Sequence, residues 1–261
     1  MTPELLAADG IRLDARLHQG AEGRAAVVLA HGITGDLDEL GHFPRLAARL
    51  GERGVTVLRF SYRGHGASGG TPRGVTIEGE RLDLLAAARY ALAVTSGPLF
   101  LVASSFGAVS TLLSLPLLGP RLRGLVLWNP VLDLRRTFLE PSLPRGRELY
   151  GGAAESFARR GFLRIRDGFD VDPALFEEFT RHDPLRALSG WRGPALIVHG
   201  DQDRHVPCAV ARATADNRPD TVFHVVPGAD HGFRPPGHAR ELIEVTADWL
   251  RSREQSVAGV R

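Results

Sequence analysis

The chain has 261 residues, of which 43% are hydrophobic, 24% charged and 7% aromatic, the composition of one large globular domain or of a domain carrying one insertion. Its single cysteine, Cys208, excludes an internal disulfide framework and a cysteine-ligated zinc site. The net charge is only +2, every basic residue is an arginine, and these are spread along the chain, which argues against a nucleic-acid-binding surface.

Residues 1–6 hold an acid and no basic patch, so a secretory leader is not expected and the cytoplasm is the default compartment. Residues 4–8 and 11–17 flank Asp9-Gly10, and Ile11, Leu13, Ala15 and Leu17 alternate with polar positions, which predicts a hairpin. The run 25–30 is nearly continuously apolar and predicts a strand buried on both faces. It leads into His31-Gly32-Ile33-Thr34-Gly35, a loop of glycines after a buried strand. A second such strand, 55–60, leads into Gly64-His65-Gly66-Ala67-Ser68-Gly69. That run matches the dinucleotide-binding fingerprint in letters only. A helix should open inside the motif, whereas Gly70-Thr71-Pro72-Arg73-Gly74 is loop chemistry. A helix is predicted over 78–94, with Leu82, Leu85, Ala86 and Arg89 on one face.

The strand 99–103 runs into Ala103-Ser104-Ser105-Phe106-Gly107 and then into a helix. A serine on so sharp a strand-to-helix turn stands above the sheet edge, and the residues two before and two after it must be small. Centring on Ser105 puts Ala103 and Gly107 at those places, whereas centring on Ser104 would put Val102 and Phe106 there, so Ser105 is the candidate nucleophile. After a strand at 124–128, residues 134–192 are far too long for one crossover. They hold a possible strand at 162–166, a helix at 173–181 and the apolar residues Phe138, Leu139, Leu143, Phe157, Phe162 and Phe176, which divide between a cap's own core and a pocket wall.

The strand 195–199 ends in Gly200-Asp201-Gln202-Asp203-Arg204-His205, and the strand 222–226 ends in Pro227-Gly228-Ala229-Asp230-His231-Gly232. Loops after the carboxyl ends of strands are where an open α/β sheet builds its site. In the order serine, acid, histidine, His231 takes the Ser105 proton and Asp203 holds the other ring nitrogen, with Asp201 as competitor for the acid. The amides of Ile33 and Phe106 are the candidate oxyanion donors. A last helix buries Leu242, Ile243, Thr246, Trp249 and Leu250, and the polar tail after Arg251 is expected to fray. Alternation of strand and helix gives an α/β doubly wound class.

HGITG (31–35), FSYRGHGASGG (60–70), ASSFG (103–107), IVHGDQDRHVP (197–207) and GADHGF (228–233) together resemble the α/β-hydrolase superfamily, in particular its bacterial cinnamoyl/feruloyl esterase and acyl-peptidase/lysophospholipase-like branch. The resemblance spans roughly residues 4–252. It implies a mostly parallel eight-stranded sheet with helices on both faces, a core of 1–133 and 193–261, and a small cap of 134–192 over the site. It implies that the acid is the second Asp, Asp203. The implied activity is a serine ester hydrolase on a small-molecule ester or acyl substrate, working without cofactor or metal and with neither nucleic acid nor membrane as partner. A thioesterase, an acyltransferase or cyclase, and a non-catalytic small-molecule binder are the alternatives. Ser104 stands where relatives commonly have His, and Phe106 beside the nucleophile is expected to alter the pocket wall.

Overall fold

A computed structural model describes residues 1–258. Strands β1 (Leu5–Leu6) and β2 (Arg12–Leu13) form the expected antiparallel hairpin, but its second arm divides at Asp14. Residues Ala15–His18 (β3) leave it and join the main sheet. The main sheet continues through β4 (Ala26–Ala30), β5 (Thr56–Phe60), β6 (Leu99–Ser104) and β7 (Leu122–Trp128). An inserted antiparallel pair, β8 (Leu163–Arg166) and β9 (Phe169–Val171), stands apart from it. The sheet is completed by β10 (Ala195–Gly200) and β11 (Thr221–Val226). Its order is β11-β10-β7-β6-β4-β5-β3, with only β3 antiparallel. Seven strands, not eight, make this sheet, because β1 and β2 satisfy their backbone groups with each other.

Two helical layers cover the sheet. Alternate residues of each strand point to opposite faces, and Val28, Leu101 and Ile197 pack on one side while Val27, Val102 and Val198 pack on the other. The second side is covered by α1 (His42–Gly51) and by α9, named last in the chain at Pro236–Ala258. The first is covered by α2 (Ile77–Val94) and α3 (Gly107–Ser114), with α7 (Pro184–Gly190) and α8 (Cys208–Asp216). Helix α2 starts at a Thr76 cap whose hydroxyl accepts the Gly79 N–H at 3.0 Å, with Glu78 and Glu80 in its first turn. Its buried face differs from the expected one. Arg89 is exposed and Leu84, Ala87, Ala88 and Ala91 are buried, because small residues let α2 lie close against the sheet and α3. Asp83 is buried there as well, bound by the Arg63 guanidinium at 2.7 Å and the Arg63 N–H at 2.8 Å.

Between β7 and β10 come α4 (Pro144–Tyr150), α5 (Ala153–Arg160), β8, β9 and α6 (Pro173–Glu178). They surround a third apolar cluster, which they share with Phe106, Val109, Val131 and Val206 of the surrounding core. Helix α7 packs on α3 instead and buries Leu188 in the main core. The edge strand β11 is only partly buried, unlike the two-faced burial expected for it. The polar tail is helical as far as Ala258: Glu254 accepts from Arg24 and from the Ala25 N–H, which fixes this turn of α9 to the amino end of β4. The tail residues 259–261 lie outside the described part of the chain. No helix among the described residues is long and apolar enough to cross a membrane.

The side chain of Leu242, fully buried between α9 and the sheet, makes a direct test of this packing. Leu242→Ala should lower unfolding stability by about 2–5 kcal/mol in urea titration, whereas Leu117→Ala, at a position 63% exposed, should change it by less than about 0.5 kcal/mol.

Candidate active site

Register aligns the functional loops at one edge. Ser104 at the end of β6 pairs with Trp128 at the end of β7, and Gly200 of β10 pairs with Val226 of β11. The loops after these strands therefore leave the sheet together. The turn after β6 is tight. Ser105 has φ +50°, a left-handed conformation that is costly for a residue with a Cβ. Its N–H donates to Trp128 O at 2.8 Å, and its carbonyl accepts from Val131 N at 3.0 Å. Gly107 is required two residues later, because a Cβ there would stand 2.4 Å from the His31 carbonyl oxygen. Ala103 is wholly buried, as the small-residue rule for this turn demands.

Ser105, His231 and Asp203 come together from three loops. His231 Nε2 lies 3.0 Å from Ser105 Oγ, and His231 Nδ1 lies 2.7 Å from Asp203 Oδ2. The other carboxylate oxygen of Asp203 accepts the N–H groups of His205 at 2.7 Å and Val206 at 3.0 Å. Burial alone would raise the Asp203 carboxyl, but the His231 charge and hydrogen bonds from His199 and His231 hold it well below the usual carboxylate range. Burial likewise pushes His231 down, and the Asp203 carboxylate outweighs it, so the imidazole titrates above its ordinary 6.5. Asp201 does something else. Its exposed carboxylate accepts the Gly228 N–H at 2.7 Å and ties two loops together. Ser104 also points elsewhere, donating to Glu39 Oε1 at 2.7 Å.

The other histidines have separate surroundings. His199 is fully buried with Nε2 3.4 Å from Asp203 Oδ2, His205 stacks on His231 with ring centroids 4.7 Å apart, and His224 meets Glu241 at 2.7 Å away from the site. Burial, then the charge of His231, pushes His205 down to about 4, so it is neutral at physiological pH.

The Ile33 and Phe106 N–H groups have no acceptor among the described residues. The peptides around Ile33 are braced by two histidines, His31 and His65, to which motif reading assigns no role. His31 Nδ1 donates to Gly32 O at 2.8 Å while its Nε2 accepts the Tyr62 N–H at 2.9 Å, which fixes a neutral tautomer. His65, from the glycine loop that mimicked a dinucleotide fingerprint, reaches Ile33 O at 2.7 Å. Asn129, also left-handed at φ +42°, donates to His231 O at 2.8 Å and accepts the Gly200 N–H at 2.9 Å. His31 and His65 lie within the quoted runs HGITG and FSYRGHGASGG, whereas Asn129 belongs to no motif and is joined to the site only by proximity in space.

A cavity of about 560 Å³ opens over Ser105 and His231. Val131, Phe138, Leu149, Tyr150 and Ile165 give it an apolar wall, and Glu39, Arg145, Arg166, Arg204 and Arg234 are charged groups on it. Phe106 does not line it, contrary to expectation. Its ring is buried beneath the insertion, edge-on to Phe138 at 5.6 Å and near Phe179 at 6.0 Å. Of the apolar insertion residues singled out in the sequence, Phe138 lines the cavity while Phe157 and Phe176 pack on each other at 5.1 Å. Phe162 carries the guanidinium groups of Arg73, Arg160 and Arg164 over its ring.

Residues 27–245 match the model of the Alpha/beta hydrolase family. A monoacylglycerol lipase from Mycolicibacterium smegmatis is 28% identical over 255 residues, covering 88% of this chain and 89% of that protein. Among solved structures, Est1E from Butyrivibrio proteoclasticus with ferulic acid bound aligns at a TM-score of 0.81 and 22% identity over 96% of this chain and 99% of that one. An esterase from Pyrococcus furiosus aligns at 0.72 and 19% identity, over 97% of this chain and 91% of that one. With the doubly wound sheet, the strained serine turn and a family match over most of its length, the chain belongs to the alpha/beta hydrolase family.

Proposed function

We propose that this chain is a cofactor-independent serine hydrolase that cleaves a small carboxylic ester through an acyl-enzyme on Ser105. The observation that carries the reading is the hydrogen-bonded series Ser105 Oγ, His231 and Asp203 at 3.0 and 2.7 Å, open to a cavity. His231 Nε2 removes the hydroxyl proton as Ser105 Oγ attacks the carbonyl carbon, and Asp203 holds the ring and offsets the imidazolium charge. The Ile33 and Phe106 amides, free of acceptors and next to the serine, take the negative oxygen. His231 then gives its proton to the departing alcohol. Water enters by the same base, and hydrolysis of the acyl-enzyme returns Ser105. Residues 134–192 supply the cap in this reading, with Phe138, Leu149, Tyr150 and Ile165 as the apolar wall. The cavity volume is that of a small-ligand site, which favours short or aromatic acyl groups. The lipase name of the mycobacterial relative supports an ester as the bond attacked.

Ser105→Ala should lower kcat on p-nitrophenyl butyrate by ~10⁴–10⁶-fold, with no acyl adduct in the intact mass, while Ser104→Ala keeps most of the activity. Death of the Ser104 variant alone would place the nucleophile one residue earlier. Asp203→Asn should cost ~10⁴-fold by leaving His231 in the wrong tautomer, and Asp201→Asn should cost little because its bond is to the Gly228 turn. Equal losses in the two would undo the assignment of the acid.

Only neutral His231 accepts the serine proton, so kcat/KM should fall as pH drops through the His231 pKa. Because Asp203 raises that value, the acid limb should have its midpoint above 6.5. A pH–rate profile on a non-ionisable ester measures it, and a midpoint well below 6.5 would show that Asp203 does not act on the ring.

A further inference from the structure

The loop between β10 and α8 brings a second aromatic ring to the site. Asp203 Oδ1 holds the N–H groups of His205 and Val206 at 2.7 and 3.0 Å. The chain is fastened on either side of His205. Arg204 O accepts the Arg145 N–H from α4 at 3.2 Å, and Val206 O lies 3.3 Å from His199 Nε2. The Val206 side chain is buried in the third apolar cluster. So fastened, the loop carries the His205 ring over the face of His231, with 4.7 Å between centroids and 22° between planes. The ring borders the cavity, and among the described residues it makes no hydrogen bond of its own.

A neutral aromatic ring carries negative charge above its plane, and a cation against that face is stabilised. His231 is such a cation each time it holds the serine proton. A charged second ring would oppose the cation instead, so the effect depends on His205 staying neutral. Burial does most to keep it so. The His231 charge comes next, and Arg145 on α4 and Arg234 on the His231 loop add to it against the pull of Asp203. The charged groups that face His231 itself are Asp203, Glu39 and Asp230, and all three favour the imidazolium together with the stack.

We propose that His205 is a positioning residue of the reaction, its ring lying flat against His231 to stabilise the imidazolium that forms as Ser105 attacks. This rests on His231 being the base. No proton passes between the two rings; the serine proton stays on His231 Nε2 until the departing alcohol takes it. One residue thus serves two neighbours, its backbone N–H fixing the acid and its ring favouring the charged base.

The test compares His205→Phe with His205→Leu, two apolar side chains of similar bulk of which only the first has an aromatic face. On p-nitrophenyl butyrate the Leu variant should lose about three- to tenfold in kcat/KM at the alkaline plateau, and its acid limb should move down by about half to one pH unit. Its profile should converge with the wild type's on the acid side, because a weaker base is also protonated at lower pH. The Phe variant should keep a midpoint near the wild type's and lose less activity than the Leu variant. NMR titration of the His231 ring in a Ser105→Ala background should give the same order without turnover. A loss by the same factor at every pH in the Leu variant marks a merely structural ring and overturns the proposal, as does an equal shift in both variants. Should the Leu protein fail to fold, the Phe protein decides alone: a midpoint well below the wild type's overturns the proposal. Ester cleavage by the wild type with the Phe and Leu profiles alike removes only the role of His205. A wild-type protein that cleaves no ester and takes no adduct on Ser105 overturns the hydrolase reading itself.

Discussion

The site depends on how closely the turn after β6 approaches the end of β4. Gly107 has no room for a Cβ against the carbonyls of Ala30 and His31, and that contact brings the loop 31–35 beside Ser105. Any side chain at this point would push the loop away from the serine. The left-handed φ of Ser105 follows from the same turn, as the strand must reverse into α3 within two residues. The cost of order 1–3 kcal/mol for such a residue is offset by bonds that the turn makes with its neighbours, Ser105 N–H to Trp128 O and Val131 N–H to Ser105 O.

Around this contact, polar side chains hold peptides in place. His31 and His65 take the carbonyls of Gly32 and Ile33, Asn129 spans the ends of β10 and the His231 loop, and two backbone N–H groups anchor Asp203. Each bond replaces one that water would otherwise supply, so its net value is small, about 1 kcal/mol. Their effect is on geometry: each peptide has one orientation available to it. The Gly64–Gly69 loop is part of this scaffold, with Gly64 N–H on Gly69 O at 2.9 Å turning His65 inward beneath the site.

Local pattern made much of this legible. Strands buried on both faces read as apolar runs, and β4, β5, β6, β7 and β10 fall within two residues of those runs. The flanking Ala103 and Gly107 distinguish Ser105 from Ser104 because the turn is a local steric problem. Pattern fails where neighbours decide. An apolar run does not say whether a strand is central or at the edge, so β11 reads like β10 yet lies half exposed. The separate pairing of β1 with β2 depends on where Asp14 turns the chain. Helix α2 mixes leucines and alanines on several sides and has no distinct stripe, and its buried face is set by α3 and the sheet. Glu39 and Leu40 carry no turn signature; their left-handed conformation belongs to a turn that packs against Gly232 of the distant His231 loop.

Phe106 belongs to two units at once. Its backbone lies between Ser105 and the start of α3, while its ring sits in the aromatic cluster of the insertion, against Phe138 and Phe179. Phe138 also faces the cavity. Val131 has a similar double place, lining the cavity while its N–H bonds the Ser105 carbonyl. The apolar wall of the cavity and the turn that carries Ser105 are therefore packed as one unit.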